Sequence, residues 1–213
     1  MLFLPLLFSI SNGDALKSML IEDGWVDMGT SQRDFGTVHS RHKPLDGLDC
    51  LEAQATTSLP LKALKEVILD IEGNVNWSSA DLLVSEVLSQ GNGRIDYVQV
   101  LNVPAPFSDR LWVLSGQVTT NAAGWHFVWQ RIPGEGYDRV TELHSEYPDA
   151  VEISSNVGSW SLLPIENGQH VARFRSCNDA GGNIPRWAGE QTARLMLPTN
   201  IVDLFREAEK RRD

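Results

Sequence analysis

The chain has 213 residues, of which 42% are hydrophobic and 22% charged, a composition typical of a single globular domain with a sizeable core. Its formal net charge of −10 at pH 7 argues against nucleic acid as a partner, because binding to phosphates requires clustered Lys and Arg. The basic cluster KRR at residues 210–212 is better explained as the end of a helix, where cations stabilise the helix dipole.

The chain begins with MLFLPLLFSISNGDA, an apolar run followed by small and polar residues, the pattern of a secretory signal and its cleavage region. The run is too short to span a bilayer and lacks the charged region that usually precedes it. We predict that residues 1–13 are a cleaved signal and that residues 14–213 form the folded domain. The alternative is an apolar run that packs on the domain. The protein is then periplasmic or secreted if the signal is used, and cytoplasmic otherwise.

The two cysteines, Cys50 and Cys177, permit one disulfide in an exported protein. Nothing in their spacing selects that pairing. We therefore favour two buried free thiols.

Apolar residues recur at helical spacing from Leu61 to Ile71, with Pro60 before them and Gly73 after them. This pattern predicts a helix of about three turns over this segment.

A strand, DCLEAQATTSLP, precedes this helix, and a series of short β-rich runs follows it between Trp77 and Cys177. The turn sequences QGNGR and PGEGYD separate some of these runs, which predicts a meander of antiparallel strands. The runs are DLLVSEVL, RIDYVQVLNV, RLWVLSGQV, WHFVWQRI, AVEISSNVGSWSLLPI and HVARFRSC.

Helical periodicity returns after Pro185 and predicts a long C-terminal helix. Pro198 lies inside it and removes one backbone hydrogen bond, so we expect a kink or a division into two helices. The predicted apolar stripe of this helix contains Ile184, Trp187, Ala188, Gln191, Leu195, Val202 and Phe205.

This order of elements indicates an α+β fold in which helices cover one face of a curved antiparallel sheet. Such an arrangement can enclose a cavity.

Four motifs in this order resemble those of START domains, the lipid-transfer modules related to the steroidogenic acute regulatory protein. They are VHSR, EAQATTSLPLKALKEVILDIEGNVNW, VPAPFSDRLWVL and CNDAGGNIPRWAGEQ, and they cover nearly the whole chain after the apolar N-terminus. The resemblance implies a helix-grip fold, in which the sheet wraps around the C-terminal helix with an internal apolar cavity between them. It also implies that PAPFSDR is a corner between two pocket strands, locked by Asp109 and Arg110.

The chain departs from the family pattern at several positions. Leu111 follows Arg110 where the family usually has Asp, and Gly189 and Glu190 replace an apolar residue and Asn. Tyr97 and Gly116 stand where the steroid-handling branch carries a Glu and an Arg on two pocket strands. No ion pair can form between them, so the resemblance implies a less charged cavity and gives no support for sterol specificity.

If Tyr97 and Gly116 face inward, strand alternation brings Gln99, Leu101, Trp112 and Leu114 to the same face. The large aromatics are core residues first, and some of them can also enclose a lipid. The predicted ligand-binding residues are Tyr97, Gln99, Leu101, Trp112, Leu114, Trp160, Phe174, Trp187, Gln191 and Leu195. Gln99 and Gln191 are informative because an amide in an apolar lining needs a partner. Arg110 is either a polar group of the pocket or a structural residue that bonds a loop carbonyl.

The sequence contains no Gly-x-Ser-x-Gly elbow, phosphate loop or Cys-x-x-Cys pair, and its five histidines have no metal-ligand spacing. We therefore predict no catalytic residue, no metal and no cofactor. The expected function is binding and carriage of a hydrophobic small molecule by a monomer, with transient contact with a membrane surface. The alternatives are an enzyme of the polyketide cyclase type on the same fold and a protein-interaction module without a ligand.

Overall fold

The computed structural model describes residues 11–45, 48–179, 181–182 and 184–212. The helices in these ranges are α1 (Asn12–Leu20), α2 (Leu61–Leu69), α3 (Asn74–Trp77), α4 (Asp138–Glu146) and α5 (Arg186–Lys210). The strands are β1 (Val26–Arg33), β2 (Gly36–Leu45), β3 (Leu48–Thr57), β4 (Leu82–Gly91), β5 (Arg94–Leu101), β6 (Arg110–Asn121), β7 (Gly124–Arg131), β8 (Val151–Glu152), β9 (Asn156–Pro164) and β10 (His170–Asn178). A short 3-10 turn, Glu166–Gly168, separates β9 from β10.

The strands form one curved sheet in the order β1-β2-β3-β10-β9-β7-β6-β5-β4. Neighbours in this order pair antiparallel, and β8 adds a short parallel pairing to the start of β6. The predicted α+β class and the curved antiparallel sheet with a long C-terminal helix are confirmed. Because the chain returns at β10 to pair with β3, residues about 120 positions apart in the sequence become neighbours.

Alternation along the strands separates two faces of the sheet. On β7, the residues Trp125, Phe127 and Trp129 are buried on one face, while the residues between them are less buried. This first face, which we call the inner face, packs against α2 and α5 in the largest hydrophobic cluster.

The opposite, outer face is covered in two places by helices. Helix α4 packs Val140 and Leu143 against valines of β5 and β6. Helix α1 packs Ala15 and Met19 against β3, β9 and β10. The strands beneath these helices are therefore buried on both faces.

An ionic cluster fastens the end of α1 and the chain after it to the outer face. Glu52 is fully buried and accepts hydrogen bonds from Arg41 Nε and Arg175 Nε, both at 2.7 Å. Glu22, just after α1, pairs with the same two arginines and with Arg173. Each buried charge thus has a partner, as burial requires.

The two cysteines form a disulfide, which corrects the expectation of free thiols. The pairing of β3 with β10 places Cys50 directly opposite Cys177, with 4.2 Å between their Cα atoms. Spacing along the chain could not reveal this proximity, because it depends on the order of strands in the sheet.

Helix α2 begins at Leu61 as predicted and buries Ala63, Leu64, Val67 and Ile68. It ends at Leu69, two residues earlier than the apolar pattern indicates. The Asp70 carboxylate accepts a hydrogen bond from the backbone N–H of Gly73, which helps to close the turn that follows.

Helix α5 continues through Pro198 and is not divided there. Its predicted stripe is correct only in its second half. Leu197, Ile201, Leu204 and Phe205 are buried, as is Val202, whereas Trp187, Gln191 and Leu195 are exposed. The side chain of Ala188 lies outside the described part. In the described ranges, no helix combines the length and the apolar character needed to cross a bilayer.

Among the described residues, the sequence analysis missed strands β1 and β2 and helices α1, α3 and α4. The sequence of α4, DRVTELHSE, has only Val140 and Leu143 as buried residues, so its periodicity is weak. Helix α1 overlaps the predicted signal region: Ser11 caps it by accepting a hydrogen bond from the N–H of Asp14. Residues 1–10 lie outside the described part.

Candidate ligand-binding site

The inner face brings together most of the predicted lining residues. The register places Tyr97 of β5 opposite Leu114 of β6, and Gln99 opposite Trp112. Tyr97, Leu114 and Trp112 belong to the cluster that packs under α2 and α5, and Leu101 is half-buried at the end of β5. The structure therefore places them on the face that strand alternation indicates. Their role in binding a ligand remains a prediction.

A chain of aromatic rings runs across the inner face from β5 to β10. Tyr97 and Phe127 have ring centroids 6.5 Å apart, Phe127 and Trp129 6.0 Å, and Trp129 and Phe174 6.0 Å. The chain ends with Phe174 and Trp160 at 4.8 Å. Contacts at these spacings are favourable for aromatic pairs and give the face a continuous apolar surface.

Two strand glycines allow these rings to lie close to the sheet. A Cβ atom on Gly116 would lie 2.2 Å from Phe127 Cζ, and one on Gly158 would lie 2.1 Å from Trp129 Cζ2. Neither position can carry a side chain without displacing a ring. Gly116 therefore belongs to the packing of the aromatic layer, at the position where the steroid-handling branch has a charged residue.

A neutral hydrogen-bond chain crosses the end of the layer. The indole Nε1 of Trp112 donates to Gln99 Oε1 at 3.0 Å, and Gln99 Nε2 donates to Ser85 Oγ at 3.0 Å. Ser85 Oγ in turn donates to the Ile71 carbonyl at 2.6 Å. Because an indole N–H can only donate, this chain fixes the orientation of the Gln99 amide.

Two other polar groups of the inner face, at Asn156 and Tyr97, are also neutral. Trp129 Nε1 donates to Asn156 Oδ1 at 3.1 Å. Tyr97 is 4% exposed, and burial raises the pKa of its phenol far above the ordinary value. It therefore remains uncharged at any physiological pH.

Arg110 fastens the corner loop and is 2% exposed. Its guanidinium donates to the carbonyls of Ser108 at 2.6 Å and Gly181 at 3.0 Å, while Asp109 Oδ1 accepts from the backbone N–H of Val103 at 3.1 Å. Burial lowers the Arg110 pKa, and the charges of Asp109 and Asp179 oppose that shift. These bonds tie the loop before β6 to the segment before α5.

The N-terminal half of α5, residues 186–196, lies apart from the aromatic layer. Trp187 is 70% exposed and Leu195 69%, and Gln191 is also exposed. Arg194 from this half makes an ion pair with Asp49 at the start of β3, at 2.5 Å, and His42 Nδ1 lies 3.0 Å from the same carboxylate. Three of the predicted ligand-binding residues are therefore on the solvent side.

Phe127, Asn156 and Ser85 belong to the inner face but were absent from the sequence-based set. The alternation of Trp125, Phe127 and Trp129 was the available signal for the first of them. Asn156 and Ser85 are common polar residues whose burial depends on the folded sheet, and no local pattern marks them.

Two surface grooves lie away from the aromatic layer. One, of about 620 Å³, runs along the solvent side of α2. The other, of about 460 Å³, lies between the corner loop and the end of α4 and contains Phe107, Asp109, Glu146 and Tyr147.

Solved structures share this architecture. The STAR-related lipid transfer protein from Xanthomonas axonopodis is 17% identical, with a TM-score of 0.71 over 88% of this chain and 99% of that one. Human StAR-related lipid transfer protein 5 is 12% identical, with a TM-score of 0.74 over 94% of each chain. The chain has the START fold.

The resemblance in the four motifs is thus confirmed at the level of fold. The same START fold also matches the Zhui aromatase/cyclase from Streptomyces sp. R1128, at 14% identity and a TM-score of 0.55 over 77% of this chain and 95% of that one. No protein-family model and no curated protein sequence matches the chain.

Proposed function

We propose that this protein binds a hydrophobic small molecule on the inner face of the sheet and carries it without chemical change. The observation that carries the proposal is the continuous aromatic layer from Tyr97 to Trp160 in a START fold, on the face covered by α2 and α5. Two solved structures with this fold are named as lipid transfer proteins, which supports a lipid as the ligand.

Shielding of the ligand's alkyl chain from water is sufficient to explain binding. Burial of one methylene is worth roughly 0.8 kcal/mol, so an alkyl chain of about 16 methylenes gains on the order of 10 kcal/mol on leaving water. Such a gain needs an apolar surface and no reaction. The aromatic rings are already in contact with one another, so uptake requires the layer or the helix above it to move.

We place that movement in the N-terminal half of α5. Most of its described side chains are exposed. The second half buries Leu204 and Phe205, and its Asp203 accepts a hydrogen bond from the N–H of Ser79 at 2.7 Å. Pro198 lies at the boundary and leaves one carbonyl of the preceding turn without its helical N–H partner. The first half can therefore open at lower cost than the second.

The glycines before α5 are fixed in a left-handed conformation. Gly181 has φ of +61° and Gly182 of +58°, and a Cβ at Gly182 would lie 3.2 Å from Arg110 Nη2. An alanine at position 182 would damage folding rather than slow a hinge. Variants of α5 itself are the informative ones.

We further propose that α5 contacts a membrane surface during transfer. Trp187, Leu195 and Met196 are exposed hydrophobic residues on its N-terminal half. Amphipathic tryptophan is suited to the boundary between water and lipid. The protein is proposed to act as a monomer.

The disulfide between Cys50 and Cys177 supports an oxidising compartment, because such bonds persist in exported proteins. We propose that the apolar N-terminus directs export and that cleavage precedes Ser11, since cleavage after residue 13 would remove the cap of α1. N-terminal sequencing of protein from the native cell tests this. An intact Met1 on cytosolic protein would refute it.

Native mass spectrometry of freshly purified protein tests the main proposal. We expect co-purified lipid, or uptake of an added alkyl lipid at one molecule per chain, recovered unchanged. Failure to bind any apolar ligand would favour the protein-interaction module with a filled core.

A cyclase-type enzyme is the second candidate function, and its support is the fold shared with the Zhui aromatase/cyclase. Incubation of the protein with a linear, uncyclised polyketide, followed by mass analysis for loss of water, distinguishes the two. Conversion of the added compound would favour the enzyme, and its recovery unchanged would favour the carrier.

A further inference from the structure

The groove on the solvent side of α2 is mainly apolar, and its volume of about 620 Å³ is within the range of small-molecule sites. Two rows of side chains, each with a spacing of four residues, line it. The first row is Leu61, Lys65 and Leu69, and the second is Lys62, Glu66 and Asp70. The helix rise separates the first and last residues of each row by about 12 Å. The groove is therefore long and narrow.

The first row of the groove borders the inner face of the sheet. Leu61 and Leu69 are half-buried and pack against the largest hydrophobic cluster. The ammonium of Lys65 lies 5.7 Å from the ring centre of Trp125, which belongs to the same cluster and is 5% exposed. An alkyl chain in the groove would therefore lie on an apolar surface that continues into the inner face.

The charges along the groove are compensated, except at Lys65. Asp70 accepts a hydrogen bond from Arg211 Nη2 at 2.6 Å, and Lys62 lies 3.7 Å from Glu66. Among the described residues, no carboxylate pairs with the ammonium of Lys65, whose contact is the Trp125 ring. An apolar groove thus has one cation at its edge without a counter-charge.

This combination defines the chemistry of a fitting ligand. The leucines suit an alkyl chain, and the ammonium suits an anionic end, because a lysine keeps its charged head in water beside an apolar surface. Glu66 and Asp70 line the same groove and disfavour a headgroup with several negative charges. A single row with two leucines suits one chain better than the two chains of a phospholipid.

We propose that the α2 groove binds a single-chain amphiphile with a carboxylate end, such as a free fatty acid. Its carboxylate pairs with Lys65, and its chain lies against Leu61 and Leu69. This site lies outside the inner face and is additional to the proposed carrier site. It holds the amphiphile at the protein surface, at the edge of the apolar layer.

Photoaffinity labelling of the full chain tests this site. The probe is a laurate analogue with a diazirine in its alkyl chain, used at pH 8, and mass spectrometry locates the label. We expect label on residues 61–70. Excess laurate should suppress that label, and the same excess of 1-dodecanol should suppress it about fivefold less, because dodecanol has the chain without the charge.

Variants of α2 separate the charge of Lys65 from its packing. Lys65→Gln should lower labelling of residues 61–70 about fivefold, the range of one exposed ion pair, and Lys65→Arg should retain it. Lys62→Gln is the matched control, since Lys62 is 83% exposed and already faces Glu66. Glu66→Gln should raise the labelling, because it removes a like charge from the groove. This last variant keeps the test decisive if Lys65→Gln does not fold.

Three results would each overturn the inference: label only outside residues 61–70, equal suppression by laurate and dodecanol, or unchanged labelling in a folded Lys65→Gln variant. If Lys65→Gln weakens sedimentation with phosphatidylglycerol vesicles but not laurate labelling, the groove contacts a membrane, and the fatty-acid site is wrong. Label on α2 without any ligand on the inner face would support this site and refute the carrier function.

Discussion

Arg194 of α5 and Asp49 of β3 form an ion pair at 2.5 Å that connects the exposed half of the C-terminal helix to the sheet. The Asp49 side chain is only 8% exposed, so this contact is better shielded from solvent than most surface pairs. The second half of α5 has a much looser pair, between Arg206 and Asp34 at 3.6 Å. Removal of the tighter pair tests whether the N-terminal half of the helix opens, and removal of the looser one serves as a control.

Asp49→Asn should accelerate exchange of a fluorescent lipid by about fivefold, because it removes roughly 1 kcal/mol that holds the N-terminal half closed. Stopped-flow fluorescence measures the rate. Asp34→Asn is the control and should leave the rate unchanged. If both variants exchange lipid at the parent rate, α5 is not the gate, and the corner loop before β6 becomes the next candidate.

Trp187→Ser combined with Leu195→Ser should slow lipid transfer between vesicles by about tenfold, because both side chains are proposed to enter the membrane surface. Lipid uptake from solution and the unfolding midpoint should stay the same, since the two residues are about 70% exposed. Ile165→Ser removes another exposed hydrophobe, after β9, as the control. If the double variant transfers lipid as fast as the parent, the proposed membrane contact is wrong.

Gly116→Ala should destabilise the protein by about 1–3 kcal/mol, because the added methyl would overlap the Phe127 ring and force the aromatic layer to shift. Gly91→Ala is the control in another strand, since a Cβ there has no atom within 4 Å. Urea unfolding measures both. Equal stability of the two variants would show that the Phe127 ring moves aside at little cost in free energy.

Replacement of both cysteines by alanine should lower the free energy of unfolding by about 2–5 kcal/mol, because the disulfide closes a loop across a sequence separation of 127. A reducing agent should cause a similar loss in the parent protein and none in the double variant. No response of the parent to reduction would contradict the bond.

Stability should also fall in acid through Glu22. Burial tends to raise its pKa, but hydrogen bonds and charges from Arg175, Arg173 and Arg41 outweigh burial and hold it at about 2, against 4.5 ordinarily. A carboxylate with a lowered folded pKa stabilises the protein above its unfolded pKa, and this contribution disappears as pH falls from about 4.5 to about 2.

Glu22→Gln should therefore show a shallower loss of stability over that pH interval, measured by urea unfolding at fixed pH steps. The size of the difference is reduced by solvent, because the Glu22 side chain is 59% exposed. Glu166→Gln, in the turn after β9, is the control and should follow the parent curve. If stability falls with pH in the same way in Glu22→Gln and in the parent, the ionic cluster is not an acid-sensitive contact of α1.

The sequence by itself determined the elements whose signals are local. Short β-rich runs separated by turn sequences gave the strands of the meander. The resemblance at Tyr97 and Gly116, combined with strand alternation, gave the face shared by Tyr97, Trp112 and Leu114. Pro60 and the helical spacing of apolar residues after it predicted α2. The four ordered motifs gave the START fold: VHSR lies within β2, and the other three motifs span junctions between elements.

Tertiary structure decided what depends on partners distant in the chain. The pairing of β3 with β10 places Cys50 opposite Cys177. The ring of Phe127 fills the space above Gly116. Helical periodicity identified α5 but could not tell that the sheet covers only its second half, so Trp187 and Leu195 were assigned to the interior and lie in solvent. An apolar side chain is buried only where another element lies against it, and periodicity within one helix carries no information about where that element ends.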